Sequence, residues 1–280
     1  MADLDVTESS GVSASVDQPG VFWTINDSGS IPKLHAFDLE GTALGSWLLP
    51  TAENVDWEDL ALIASGTVGS TLVVGDIGDN LGVRDHVSLY YVPEPDIDVD
   101  GDVSTRTAEA KRVDYIYPTG PVDAEALLID PRTGETVIIS KEPGIARLFL
   151  ASSDGNAGNL VEIGSVPLPG ISPLQQVTGA AISADGSTIA LRTVQSIFIW
   201  DASTSTSIAQ VLLTEPAQML VPFIGQSEAV TFSADGSALI FTAEGVPAPL
   251  MRVSLDWLRA RNSPSTDTRC EGLHGPTGSS

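Results

Sequence analysis

Ile182-Ser-Ala-Asp-Gly-Ser187 and Phe232-Ser-Ala-Asp-Gly-Ser237 are near-identical phrases about fifty residues apart, and they set the register for the whole chain. Each closes a short run that opens at Thr178 or Glu228. Each leads into an apolar run, Thr188-Ile-Ala-Leu-Arg192 or Ala238-Leu-Ile-Phe-Thr242, and then a third, Ser196-Ile-Phe-Ile-Trp200 or Leu250-Met-Arg-Val253. Between two β-rich runs an Asp-Gly pair makes a turn, because Asp hydrogen-bonds the backbone ahead of it and Gly tolerates positive φ. Working outward, the same grammar recurs in Asp123 to Asp130 with Thr136-Val-Ile-Ile-Ser140 and Ala146-Arg-Leu-Phe-Leu150. It recurs in Leu60 to Ile63 with Thr71-Leu-Val-Val74 and Val87 to Val92, and in Glu8 to Ala14 with Val21-Phe-Trp-Thr-Ile25 and Leu34-His-Ala-Phe37.

Five copies of an inner strand, an apolar second strand and an amphipathic third predict an all-β chain, a single β-propeller of five blades with about four antiparallel strands each. The propeller is expected over residues 7–258. A β-sandwich or two small β domains share the short strands and turns and are the alternative; the repetition favours the propeller. Helix is expected only as a turn or two at Ser254–Ala260, and residues 259–280 carry no periodicity and are expected to be disordered.

The chain has 280 residues, ample for a sizeable core, and 37 acidic against 13 basic side chains, a net charge of −24. Such a field repels phosphates, so nucleic-acid binding is excluded as an expectation. The acidity suits calcium binding, solubility at high salt or a cationic partner. Cys270 is the single cysteine, so neither an intrachain disulfide nor a cysteine zinc cluster can form. No apolar run is long enough to insert in a membrane, and Met1-Ala2-Asp3 does not open a signal peptide. An extracellular or cell-envelope protein with its export signal removed is the expectation, and a cytoplasmic one the alternative. A monomer is expected.

Aligned on the repeats, Ser10, Glu58, Glu125, Thr178 and Glu228 share one position, just before the inner strand. In a propeller these strands surround the axis, so the three glutamates should converge, with Asp56, Asp59 and Asp123 beside them. Carboxylates crowded in a narrow channel repel each other and either hold protons or recruit a cation. Hard oxygen ligands without equivalent histidines or thiolates point to Ca2+. The expected metal ligands are Glu58, Asp59, Glu125, Glu228, Asp76, Asp79 and Asp27; the alternative is that the glutamates cap turns and accept backbone hydrogen bonds. Ala180-Ala181 is apolar, so the fourth blade is expected to add nothing.

The exits of the second strands carry Asn26-Asp27, Asp76 with Asp79-Asn80, Lys141-Glu142, Arg192 and Glu244. Lys141 and Arg192 are placed to pair with the acidic ring, and a mixed-charge rim suits a small polar ligand or an extracellular polymer. Asp96 to Ser104 resembles the start of an EF-hand loop but has Thr107 where the chelating glutamate belongs and Pro93 and Pro95 before it, so it reads as a solvated acidic loop. Of His35, His86 and His274, only His86 is placed to approach the carboxylates; no Gly-x-Ser-x-Gly elbow or phosphate-cradling loop exists.

Phe22-Trp-Thr-Ile-Asn-Asp-Ser-Gly29, Trp57-Glu-Asp-Leu-Ala61, Gly75-Asp-Ile-Gly-Asp-Asn80, Ser140-Lys-Glu142, Leu191-Arg-Thr193 and Gly225-Gln-Ser-Glu-Ala229 resemble an uncharacterised bacterial β-propeller family whose members are often exported. The resemblance covers about residues 7 to 255, and Trp57-Glu-Asp-Leu-Ala61 with Gly75 to Asn80 is its most specific part. More distantly the chain resembles esterase-like phytase and SdiA-regulated propellers, some of which bind calcium. That likeness implies a fold and transfers no activity.

Two main functions compete on this reading. One is a secreted or envelope-associated binding or scaffold module with calcium in or near its channel. The other is a calcium-dependent hydrolase of a phosphoester, ester, lactone or glycan, with Glu58 or Glu125 as base and Lys141 or Arg192 stabilising developing charge. A glycosidase with paired carboxylates is a third, for which no pair can be named.

Overall fold

The computed structural model describes residues 5–64, 69–97, 103–152, 157–170, 174–221 and 227–262. The first blade is β1 (Ser9–Ala14), β2 (Phe22–Asn26), β3 (Lys33–Phe37) and β4 (Ala43–Leu48). The second holds β5 (Trp57–Ile63), β6 (Thr71–Asp76) and β7 (Val87–Pro93), then β8 (Thr105–Thr107) reaches away and β9 (Lys111–Ile116) returns as its fourth strand. The third is β10 (Ala124–Ile129), β11 (Thr136–Ser140) and β12 (Ile145–Leu150), with β13 (Gly158–Asn159) reaching away before β14 (Val161–Pro167). The fourth is β15 (Val177–Ile182), β16 (Thr188–Thr193) and β17 (Ser196–Asp201), a short helix α1 (Ile208–Leu212), and β18 (Ala217–Leu220). The fifth has three strands, β19 (Ser227–Phe232), β20 (Ala238–Ala243) and β21 (Leu250–Ser254), followed by α2 (Leu255–Asn262).

The inner strands β1, β5, β10, β15 and β19 are neighbours in that order, and β19 returns to β1. This is a closed five-bladed β-propeller. Because each sheet is packed between two others, second strands such as β2, β11 and β20 are buried at every position and read as unbroken apolar runs. The core is accordingly five separate layers. The one between the first and second blades holds Trp23, Trp47, Trp57 and Tyr90, with Trp23 and Trp47 edge to face at 5.0 Å. The layer joining the fifth blade to the first holds Val12, Phe22 and Phe37 against Ala229, Ile240 and Ala248.

Among the described residues the first sheet begins with β1 and the last is β19 to β21, and no strand is exchanged between them. Closure rests on that last layer, on Ser9 Oγ donating to Thr242 Oγ1 at 2.8 Å, and on Gly245 N donating to Thr7 O at 2.9 Å. Further straps tie neighbouring blades at their rims. β8 pairs in parallel with β4 of the blade before it, and β13 does the same with β9. α1 does this work for the third and fourth blades: Ser207 caps it, Ile208 and Leu212 enter the shared core, and Glu135 accepts from Ser207 Oγ and Ala209 N.

The sheets have three to five strands, in keeping with the expectation of about four, and the straps and α1 are additions to it. Two or three polar residues carry no periodicity, and the Ile208–Leu212 run is too short to distinguish helix from strand by pattern. α2 also runs past residue 258, into the stretch expected to be disordered. Residues 263–280, with Cys270 and His274, and residues 98–102 of the EF-hand-like stretch lie outside the described residues.

Candidate functional site

Every inner strand breaks its ladder with the second strand at the same place. In β5 the pairing passes from Trp57–Asp76 to Asp59–Gly75, leaving Glu58 as an extra residue. β10 leaves Glu125 and β15 leaves Thr178 in the same way. In β1 and β19 the shift falls between Ser9 and Val12 and between Ser227 and Val230, around Ser10 and Glu228. A bulge turns its extra residue out of the ladder and re-aims the side chain. The position that aligns across the repeats is therefore a ring of β-bulges.

Four of the five bulge residues, Ser10, Glu58, Glu125 and Glu228, line one cavity of about 120 Å³ with Glu8, Asp27, Asn80, Lys141 and Glu244. Six carboxyl groups face one ammonium. Inner strands enter at this end and second strands leave at it, so the cavity is a cup at one mouth of the channel. Its floor is Asp59, the residue after the Glu58 bulge. Asp59 is fully buried, its Oδ1 accepts from Leu60 N at 2.8 Å, and its Oδ2 accepts from Leu127 N of the third blade at 2.8 Å and Ala180 N of the fourth at 3.3 Å. One carboxyl group thus spans the axis. Below it the channel narrows to a cavity of about 50 Å³ lined mainly by apolar residues such as Val12, Leu60, Leu127 and Ala181.

Asp27, Asp56 and Glu58 each bring a carboxylate oxygen within 4.8 Å of the others. Local sequence explains how they meet. Asn54 Nδ2 donates to Asn26 O at 3.1 Å and Asp27 O at 2.9 Å, tying the end of β2 to the segment before β5. Gly78 N donates to Asp56 O at 3.1 Å, and a Cβ on Gly78 would stand 2.4 Å from Glu58 Oε1 and 2.6 Å from Asp56 Oδ2. Only glycine leaves room for those two carboxyl groups to converge.

Burial pushes the Asp56 carboxyl up to about 6, with Asp27 and Asp123 adding to it and Arg84 opposing. Glu58 is raised well above its ordinary value, by burial first and then by Glu125, Asp27 and Asp56. Burial raises Glu125 as well, but Lys141 is in direct contact with it and opposes the rise. Lys141 opposes the rise at Glu125 more strongly than at Glu58, where it is the smallest of these influences. Glu228 is pushed up to about 7, chiefly by burial, against the pull of Lys141. Lys141 is held charged: burial works against its ammonium, but Glu125, Glu58 and Asp123 more than compensate.

Of the residues expected to bind metal, the cup brings together Glu58, Glu125, Glu228 and Asp27, and adds Asp56. It does not take in Asp59, Asp76 or Asp79. Asp76 Oδ1 accepts from Asp56 N at 2.9 Å and Arg84 Nη1 at 2.8 Å. Asp79 accepts from Val83 N and Arg84 N, both at 2.9 Å. These two carboxylates brace the Gly75–Asn80 loop behind the cup. Arg192 is buried in the fourth blade with its guanidinium 4.3 Å from the centre of the Phe241 ring, and does not line the cup. His86 lies at the surface of the second blade, with Asp85 Oδ1 2.6 Å from Nδ1 and Arg112 Nη2 2.8 Å from Nε2. Glu8 was missed as a site residue, although it stands two residues before Ser10.

No family model matches the chain, and no curated protein does. Among solved structures it is similar to U3-55K, with a TM-score of 0.44 and 10% identity over 85% of this chain and 89% of that one. The architecture stands on the chain's own five sheets.

Proposed function

We propose that the protein is a binding module that holds Ca2+ in the acidic cup at the mouth of its propeller. The observation that carries this is the convergence of Asp27, Asp56 and Glu58 within 4.8 Å around the space left by Gly78. Three carboxylates supply fewer oxygens than the six to eight that calcium takes, so water fills the remaining positions. Such open sites fall in the ~10⁻⁴–10⁻³ M range of extracellular calcium modules. An extracellular or envelope location supplies calcium at that level.

Burial raises Glu58 well above its ordinary value and Asp56 to about 6, so calcium competes with protons at these carboxyls and its uptake should release some of them. Calorimetric titration of the whole chain near neutral pH, in two buffers of different ionisation enthalpy, tests this. Saturable binding with proton release, lost in Asp56→Asn, supports the site; no binding at millimolar calcium overturns it.

Lys141 in the same cup favours a second reading, a calcium-dependent hydrolase in which Glu125 is the base and Lys141 steadies developing negative charge. Turnover of a small phosphoester or ester that requires calcium and disappears in Glu125→Gln, with the fold intact, would establish it. Calcium binding without turnover leaves the binding module.

A further inference from the structure

The outer edges of the blades are not covered alike. On the first blade β8 lies along the end of β4, with Ser46 beside Thr105, Trp47 beside Arg106 and Leu48 beside Thr107, and on the second β13 lies along the end of β9. The last residue of each covered strand turns its carbonyl to the strap: Leu48 O accepts from Ala108 N and Ile116 O from Leu160 N, both at 2.9 Å. β14 of the third blade is built to the plan of β4. Gly45 and Gly164 both have φ 147°, and each sits where pairing with the third strand skips a residue. Leu168 N donates to Gly144 O as Leu49 N donates to Pro32 O, both at 2.9 Å, so Pro167 stands where Leu48 does, with its carbonyl outward. Yet β14 ends its sheet, and among the described residues no strand pairs with that edge. α1 ties the third and fourth blades through their core and leaves the edge uncovered.

A cavity of about 570 Å³ runs along Ser165 to Pro167, with Phe198, Leu212 and Leu213 as apolar wall and Glu215 as its one charged residue among those described. Local sequence explains the room. On the first blade the Trp47 ring covers Gly45, 2.8 Å from where a Cβ would stand. On the third the corresponding residue is Val166, and it is Leu213 of the next blade that covers Gly164, 2.5 Å from its Cβ position. Valine in the place of tryptophan leaves space beside the edge.

We propose that this edge is a docking site for an extended segment of a partner protein, added as a parallel strand over Ser165 to Pro167, with an apolar residue beside Val166 and a basic residue two places later. The chain's own strap β8 supplies the direction and the register. Residues side by side in neighbouring strands share a face, as Arg106 and Trp47 do with the guanidinium 5.4 Å over the ring, so the residue beside Val166 enters the cavity. The residue two places later shares that face and meets Glu215. A net charge of −24 attracts a cationic segment and opposes a second copy of this chain. Pro167 has no N–H to give, so the added strand is held by Ser165 N–H and by the Ser165 and Pro167 carbonyls. None of these residues belongs to the cup, and the inference is independent of the calcium site.

The test uses the whole 280-residue chain and the peptide acetyl-Thr-Phe-Thr-Arg-Thr-amide, whose first three residues would lie beside Ser165, Val166 and Pro167, followed by backbone amide chemical shifts. Binding should saturate with a Kd of ~10⁻⁴ M and move the amides of Ser165, Leu213 and Gln218. Replacing the peptide's Phe by Ser should weaken it by about tenfold or more. Methylating the Arg amide, which faces Pro167 O, should do the same, whereas methylating the amide of the Thr before it, which faces away, should cost about twofold or less. On the protein, the exposed Leu213→Glu should weaken binding by about tenfold, and Glu215→Gln by about threefold for this peptide but not for its Arg-to-Gln form. No saturation by about 2 mM, shifts outside the groove, or equal sensitivity to the two methylations would each overturn the proposal. So would a dimer that Leu213→Glu dissolves, which would assign the edge to a second copy, or tighter binding there of a peptide of residues 263–280, which would assign it to this chain's own tail.

Discussion

Lys141→Met removes the one ammonium that lines the cup and keeps most of the stem. Its partner Glu125 has a side chain 3% exposed, while that of Lys141 is 26% exposed. Removing one member of a buried pair costs about 3–5 kcal/mol when the other stays charged, and the partial exposure of Lys141 places this case near ~3 kcal/mol. The cost must depend on pH, because Glu125 can take a proton. A carboxyl whose folded pKa lies above its unfolded value contributes stability that is fully present below the unfolded value and is lost as pH rises through the folded one. Burial raises Glu125, and Lys141 is the main group opposing that rise. Without it the rise is larger, so the variant loses more stability on the alkaline side than the parent does. Glu125 is pushed up to about 8 in the parent, so the gap should stay small up to about pH 7, open above about pH 8 by no more than ~1.4 kcal/mol per pH unit, and approach ~3 kcal/mol near about pH 10. Urea unfolding in EDTA at about pH 7 and about pH 10 reads it directly, and calcium at about 100 times its Kd should recover part of the loss at the upper value. A gap that is the same at both pH values, or wider in acid, would refute the assignment of Lys141 as counter-ion to an ionised Glu125.

Three further outcomes follow from the same geometry. Asp56, Glu58, Asp59 and Glu228 are all raised, so the parent in EDTA should lose stability as pH climbs from about 4 to about 8, and calcium at 100 Kd should add ~2.7 kcal/mol at the upper end; a thermal melt that rises with pH in EDTA contradicts this. Gly78→Ala puts a methyl 2.4 Å from Glu58 Oε1, so calcium binding should be lost while unfolding free energy falls by about 1–3 kcal/mol, a combination seen by pairing calorimetry with urea melts. Asp59→Asn replaces one acceptor oxygen by an amide donor facing backbone N–H groups, which should cost about 1–3 kcal/mol or more, and an unchanged urea midpoint would remove Asp59 as the tie between blades.

The five-blade architecture was legible in the sequence because second strands buried on both faces leave apolar runs, and Asp-Gly turns punctuate them at a regular interval. The alignment of Ser10, Glu58, Glu125, Thr178 and Glu228 was legible for the same reason. What the runs could not show is that this position is a bulge, since an extra residue in one strand is defined only by its partner. The straps β8 and β13 and the helix α1 were hidden because they are too short to carry a period. Asp59, Asp76 and Asp79 were grouped with the cup because composition counts carboxylates without showing what they face. Asp59 faces the backbone amides of three blades; Asp76 faces Arg84 and the Asp56 amide, and Asp79 faces amides of its own loop at Val83 and Arg84. Lys141 follows β11 and lines the cup, whereas Arg192 lies within β16, two positions earlier in the repeat, and is buried over Phe241, a register that only the strand pairing reveals.

Glu58 and Asp59 are adjacent in the chain and do opposite work, and the bulge is what permits it. In an unbroken strand two successive side chains point to opposite faces of the sheet, and a pair of acids there would put one into the apolar core between blades. With Glu58 lifted out of the ladder, pairing resumes at Asp59, whose carboxyl turns into the axis and takes amides from β5, β10 and β15. The second acid thereby seals the floor and fixes three inner strands relative to one another. That fixed spacing sets how closely the carboxylates above can approach. Loss of Asp59 should therefore weaken cation binding as well as folding, although Asp59 touches no ligand in the cup.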